Sequence, residues 1–185
     1  DHNIQGSLDI EGHYDFQEPM DRFYKNPEIK PSDYIPKNLK ILSFDIESDK
    51  NQKKVYCISL YSKNYEKSLL LSNKKVPGVL SFKTEKELFE KFQEEILDFD
   101  PDIITGWNVI DFDLNFLKEK FSRYKIPFNL GRDNSPTKLR LESSFFRTSK
   151  VDIVGRVVLD GIDLIKSSFV KLDNYKLNTA AKELL

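Results

Sequence analysis

Cysteine is almost missing from this chain: Cys57 is the one thiol among 185 residues. A lone cysteine cannot close an internal disulfide, so the chain is expected to hold its fold without one, with a buried thiol in a reducing compartment. Histidine is nearly as scarce. His2 and His13 both lie in the N-terminal stretch, away from every acidic motif, and are expected to be exposed and without a role. No apolar run approaches the ~18 residues of a membrane-spanning helix. The start, Asp1 to Asp21, is too acidic and polar for a secretory signal. A cytoplasmic location is expected. Neither sign of charge dominates, with 29 Lys and Arg against 30 Asp and Glu, so bulk charge advertises no polyanionic partner. Glycine is sparse, and the turn Asp49-Lys50-Asn51-Gln52 has none, which argues against a doubly wound nucleotide-binding fold.

What is present is enough for one domain and its core: 39% hydrophobic residues, fourteen Phe and eight Tyr. Charge is unevenly placed. Residues 1–23 carry six acids against one base, whereas residues 118–156 carry ten bases against four acids. That basic excess suits either a phosphate backbone or a solvated face. Residues 1–38, with Pro19, Pro27, Pro31 and Pro36, read as an extended leader or the edge of another domain. Regular structure is expected from Leu39. Strands are predicted over 39–48, 55–62 and 68–72, joined by short polar links that favour antiparallel neighbours. A helix follows, opened by a Thr84/Glu87 capping box, with Leu88, Phe89, Phe92 and Ile96 on one face and Asp100-Pro101 as its stop. A buried strand over 102–108 and a helix over 113–125 come next. A hairpin within 145–171 leads into a fifth strand over 156–164, and a helix starts at Leu177. The order predicts an α/β fold with a mixed five-stranded sheet flanked by helices, of ribonuclease H-like type.

Two acidic motifs carry chemistry. Asp45 and Glu47 are two apart on the first strand of the sheet, so both carboxylates project to one face and Phe44 and Ile46 to the other. Carboxylates this close repel unless a cation separates them, and hard divalent ions prefer such oxygen ligands. The plain alternative is a strand end that points acids into water. The run Asn108-Val109-Ile110-Asp111-Phe112-Asp113 lies between a buried strand and a helix start. Asp113 there is favoured by the helix dipole, and if the two strands are neighbours it converges on Asp45 and Glu47 in one cleft. Here too an alternative stands, with Asp111 or Asp113 as a simple N-cap. Asp160 and Asp163 are three apart on a predicted strand and so point to opposite faces; at most one of them could face this site as a further ligand.

Phe44-Asp45-Ile46-Glu47 resembles the first exonuclease motif of family B DNA polymerases, and Gly106-Trp107-Asn108 through Phe112-Asp113-Leu114 resembles the second. The phrases IPKNLKILSFDIES, DPDIITGWNVIDFDLNFL, RYKIPFNLGRDNS and GRVVLDGIDLIKSSF extend the resemblance over residues 23–185. It implies a 3′→5′ proofreading exonuclease domain at 39–185 that hydrolyses the 3′-terminal phosphodiester. Two divalent ions, Mg²⁺ or Mn²⁺, would be held by Asp45, Glu47 and Asp113. Ser48, Asn108 and Phe112 would contact the substrate or its loop. The implied partners are a single-stranded DNA 3′ end, a primer–template and further polymerase domains, in the bacterial cytoplasm at the nucleoid. The family's third motif, Tyr-x-x-x-Asp, does not occur before Leu185, so the domain is expected to be incomplete here and the chain alone inactive. The competing reading is an inactive ribonuclease H-like module that binds DNA or serves as structure.

Overall fold

The computed structural model describes residues 4, 6–18, 20–51, 53–142, 148–168 and 170–184. The leader is not only extended connector. β1 (Leu8–Glu11) pairs with β4 (Glu28–Pro31), and β2 (Tyr14–Gln17) pairs with β3 (Met20–Tyr24) between them, both pairs antiparallel. Gly12 and Asn26 take the positive-φ turns that make this nesting possible (φ 146° and 52°).

The main sheet starts where expected. β5 (Ile41–Ser48), β6 (Val55–Ser62) and β7 (Tyr65–Leu71) form an antiparallel meander. β7 begins three residues earlier than the sequence suggests because Asn64, at φ 63°, makes the turn from β6 tight. β8 (Leu80–Phe82) then adds a sixth strand parallel to β7. Three residues are too few to show a period, and only the ladder to β7 makes them a strand.

α1 (Glu85–Phe99) has the full capping box: Thr84 accepts from the Glu87 N–H, and the Glu87 carboxylate accepts from the Thr84 N–H. Asp100 ends it in the left-handed conformation. β9 (Ile103–Gly106) lies parallel to β5. A π-helical turn, Val109–Leu114, leads directly into α2 (Asn115–Arg123). β10 (Lys138–Arg140) and β11 (Lys150–Asp152) make a small antiparallel ribbon; Phe145, the start of the expected hairpin, lies outside the described residues. β12 (Val157–Asp160) lies parallel to β9. The fifth strand predicted to Leu164 therefore stops at Asp160, where α3 (Gly161–Ser167) begins. The β-branched run 157–158 carries strand propensity, but Asp160 caps a helix through the Ile162 N–H at 2.9 Å, and the cap wins. α4 (Leu177–Leu184) follows.

The sheet order is β12-β9-β5-β6-β7-β8, a mixed α/β arrangement of ribonuclease H-like type. Leu42, Phe44 and Ile46 of β5, Ile58 and Leu60 of β6, Leu69 of β7 and Ile104 of β9 are all buried in one core cluster with residues of the helices. Phe92 and Phe89 of α1 and Phe121 of α2 fill it, with ring centroids 5.2 Å apart for Phe44–Phe92 and 5.6 Å for Phe89–Phe121. Burial of each such side chain contributes about 1.5–3 kcal/mol. Glu85 ties these layers together: it accepts from the Val55 N–H (2.8 Å), from buried Lys120 of α2 (2.9 Å) and from the Tyr124 hydroxyl (2.8 Å). The opposite face of β5 is left exposed at Ile41, Asp45 and Glu47.

Candidate active site

Asp45 and Glu47 project from the exposed face of β5, as strand alternation dictates, opposite Ser59 and Cys57 of β6. Immediately after Glu47 the ladder slips, so that Ser48 pairs with Val55 and Tyr56 is the extra residue. A bulge of this kind re-aims side chains and is common beside active sites; nothing in the residue pattern announces it. β9 follows β5 only as far as Ser43↔Thr105 and then leaves it at Gly106. That departure needs glycine, because a Cβ at position 106 would sit 2.7 Å from the Phe44 carbonyl oxygen. Beyond it, Asn108 adopts a left-handed backbone (φ 59°), and the π-helical turn carries Asp113 back toward β5.

Asp113 is buried, and its Oδ1 accepts the Ile46 N–H at 3.1 Å. It is thus not the N-cap of a helix; it takes up a β5 donor that β9 has left free. Its Oδ2 is buried with no hydrogen-bond partner. Burial, then the charge of Asp45, push its pKa up to about 7, with the Ile46 N–H acting the other way and Asp160 adding to the rise. Asp45 is also raised, by partial desolvation and then by Glu47, against the Ile46 N–H. Of the three sequence-predicted carboxylates, Asp45 and Glu47 thus share one strand face, and the charge of Asp45 acts on the buried Asp113. Among the described residues no three His, Cys, Asp or Glu side chains stand close enough to hold a metal ion by themselves.

A divalent cation fits this chemistry. The three acids concentrate negative charge, one buried carboxylate oxygen lacks a partner, and burial first, then a neighbouring carboxylate, holds Asp113 and Asp45 above their ordinary range. Of the other expected contacts, Ser48 is half-buried and its hydroxyl donates to the Asp49 carbonyl at 3.3 Å. Asn108 is half-buried and makes no capping bond to the π-helical turn. Phe112 is half-buried against the core, its ring 6.2 Å from Phe116.

Asp160 and Asp163 do not point to opposite faces, because Gly161 begins a helix and residues three apart on a helix share a side. Both line an open cleft of about 400 Å³ together with Ile110, Ser149 and Ser167. Burial first, then Asp160 and Asp111, push Asp163 up, while Lys166 opposes them. Asp160 is buried, and its Oδ2 accepts the Ile110 N–H at 3.1 Å. Sequence reasoning names Asp160 only as a strand residue and misses its capping role; the pattern Asp160-Gly-Ile-Asp163, an acid cap before an acidic third position, was the available signal.

A mixed ribonuclease H-like sheet with acids along its central strand and at the start of the following helix defines a class of nuclease domains. This chain belongs to the exonuclease domain of DNA polymerase family B, whose family model matches residues 19–180. It is similar to DNA polymerase II of Escherichia coli (strain K12), at 36% identity over 171 residues that cover 86% of this chain and 21% of that protein. It is 32% identical to the DNA polymerase delta catalytic subunit of Plasmodium falciparum (isolate K1 / Thailand), over 100% of this chain and 21% of that protein. A DNA polymerase of Desulfurococcus sp. (strain Tok) is 29% identical over 76% of this chain. The chain spans about a fifth of the length of the first two of these relatives.

Proposed function

We propose that this chain provides the 3′→5′ proofreading exonuclease of a DNA-directed DNA polymerase, which removes the 3′-terminal nucleotide of DNA by hydrolysis with two divalent ions. The observation that carries the reading is the unpartnered, buried Oδ2 of Asp113 beside the raised carboxyl of Asp45. Asp113, Asp45 and Glu47 would hold Mg²⁺ or Mn²⁺. Such an ion, when bound, lowers the pKa of a water molecule and stabilises charge on the scissile phosphate. The chain's own residues do the rest. Asp113 is held in place by the Ile46 N–H, and the alternation of β5 presents Asp45 and Glu47 to the same open face. Ser48 and Phe112, next to Glu47 and Asp113 in sequence, and Asn108, which opens the π-helical turn, would position the terminal nucleotide.

The test is the parent polymerase with Asp45→Ala and Glu47→Ala together. Excision under single-turnover conditions is expected to fall by several orders of magnitude, because ligands of one centre act as a unit, while DNA synthesis is retained. Near-normal excision rejects the assignment. The second reading, a DNA-binding or structural module without activity, is favoured by one observation: the described residues alone offer no three-ligand group. It predicts that the double variant changes nothing.

A further inference from the structure

Asp160 lies at the carboxyl end of β12, opposite Gly106 of β9, and is 6% exposed. Each of its oxygens serves a different element. Oδ1 accepts the Ile162 N–H at 2.9 Å and caps α3. Oδ2 reaches fifty residues back in the chain to the Ile110 N–H at 3.1 Å. Ile110 is the second residue of the π-helical turn, and first-turn N–H groups have no acceptor within their own helix. Without Asp160 this donor would be buried and unpaired. A second contact joins the same two segments: a Cβ at Gly161 would lie 3.0 Å from the Trp107 ring and 3.2 Å from the Gly106 carbonyl. The Trp107 indole N–H donates to the Tyr175 carbonyl at 3.1 Å. The turn that delivers Asp113 is thus fastened on one side by the end of β12 and the segment beyond α3, and on the other by the Asp113–Ile46 bond.

We infer that Asp160 is a positioning residue for the carboxylate site: its buried side chain holds the Val109–Leu114 turn, and through it Asp113, in register with β5. This rests on the proposed role of Asp113. π-helical turns are rare, mostly single-turn departures from the α-helix, and they are frequent at functional sites. The Ile110 tether fixes this one three residues before Asp113. A displacement of about 1 Å at a catalytic group can cost 10²-fold in rate, so the tether is worth a measurable factor.

Asp160→Ser separates the two duties. A serine still caps α3 through the nearby Ile162 N–H but is too short to reach Ile110. In the parent polymerase the variant is expected to slow excision about 10- to 100-fold, to raise the Mg²⁺ concentration needed for half-maximal excision, and to leave synthesis unchanged. In this chain, hydrogen exchange should show the Ile46 amide less protected while the Ile162 amide keeps its protection. Asp160→Asn preserves the volume and is the second variant if the serine form does not fold; whichever way its amide turns, one of the two N–H groups loses its acceptor. Unchanged excision in both variants, beside an inactive Asp45→Ala/Glu47→Ala control, overturns the inference. So does unchanged Ile46 protection in Asp160→Ser, even if that control retains excision and the nuclease reading itself fails.

Discussion

Asp113 is 1% exposed, accepts one hydrogen bond, from the Ile46 N–H, and keeps a second oxygen without a partner. Its carboxyl ionises near the ordinary 3.8 when the chain is unfolded and at about 7 when it is folded. Between those values the folded state binds more protons than the unfolded state, so stability falls as pH rises. The stabilisation is complete below pH 3.8 and is lost as pH passes through 7. At about 1.4 kcal/mol per unit, the loss reaches about 4 kcal/mol in metal-free protein. Asp113→Asn keeps the acceptor for Ile46 and cannot ionise. The variant is expected to be more stable than the unaltered chain at pH 8 and to lose that advantage toward pH 4, by urea denaturation at a series of pH values. A difference that does not change with pH contradicts the account. At this scale spacing singles out Asp45, Glu47 and Asp113 as candidates but leaves a solvated strand end and a simple N-cap open; the likeness to the exonuclease motifs is what joins the three. The Ile46 contact was not, because it joins residues 67 positions apart.

Local rules decide most of the elements. In β5 alternation sends Leu42 into the core and leaves Ile41 about half exposed (0% and 49%). Leu42→Ala is expected to cost about 2–5 kcal/mol, through lost burial and the cavity left behind. Ile41→Ala, one residue away, should cost under about 1 kcal/mol. Equal losses in urea denaturation would mean that the strand does not separate two faces. α1 obeyed its capping box and its 3.6-residue period, so its start at Glu85 and its buried stripe followed from residues a few positions apart. β12 did not obey its own pattern: strand propensity ran on through Leu164, but the Asp160 cap started a helix at Gly161. That outcome reversed the reading of Asp160 and Asp163, which share one cleft. β8 and the leader strands were invisible for a different reason: strands of three to five residues become strands only through a partner.

Across the whole molecule, β5, β9 and β12 run parallel, so Glu47, the Asp113 turn and Asp160 all gather at one edge of the sheet. In open α/β sheets this edge is the usual place for ligands. A cation that relieved the repulsion among these acids would bind the folded chain in preference to the unfolded one. Mg²⁺ at a hundredfold over its dissociation constant is then expected to stabilise the chain by about 2.7 kcal/mol. Asp113→Asn should lose most of that gain. Calorimetric melting with and without Mg²⁺ decides it, and an equal gain in both proteins would place the ion elsewhere. The periods of two and 3.6 residues, the capping box and the acid spacing are properties of neighbouring residues, so the sequence by itself determined the meander, α1 and the shared face of Asp45 and Glu47. Only the tertiary structure decided the sixth strand, the bulge after Glu47, the stop of β12 and the two long-range acceptors, Asp113 for Ile46 and Asp160 for Ile110. Each of these satisfies a backbone donor or a strand edge with a partner far away in the chain, and no local pattern records which partner will arrive.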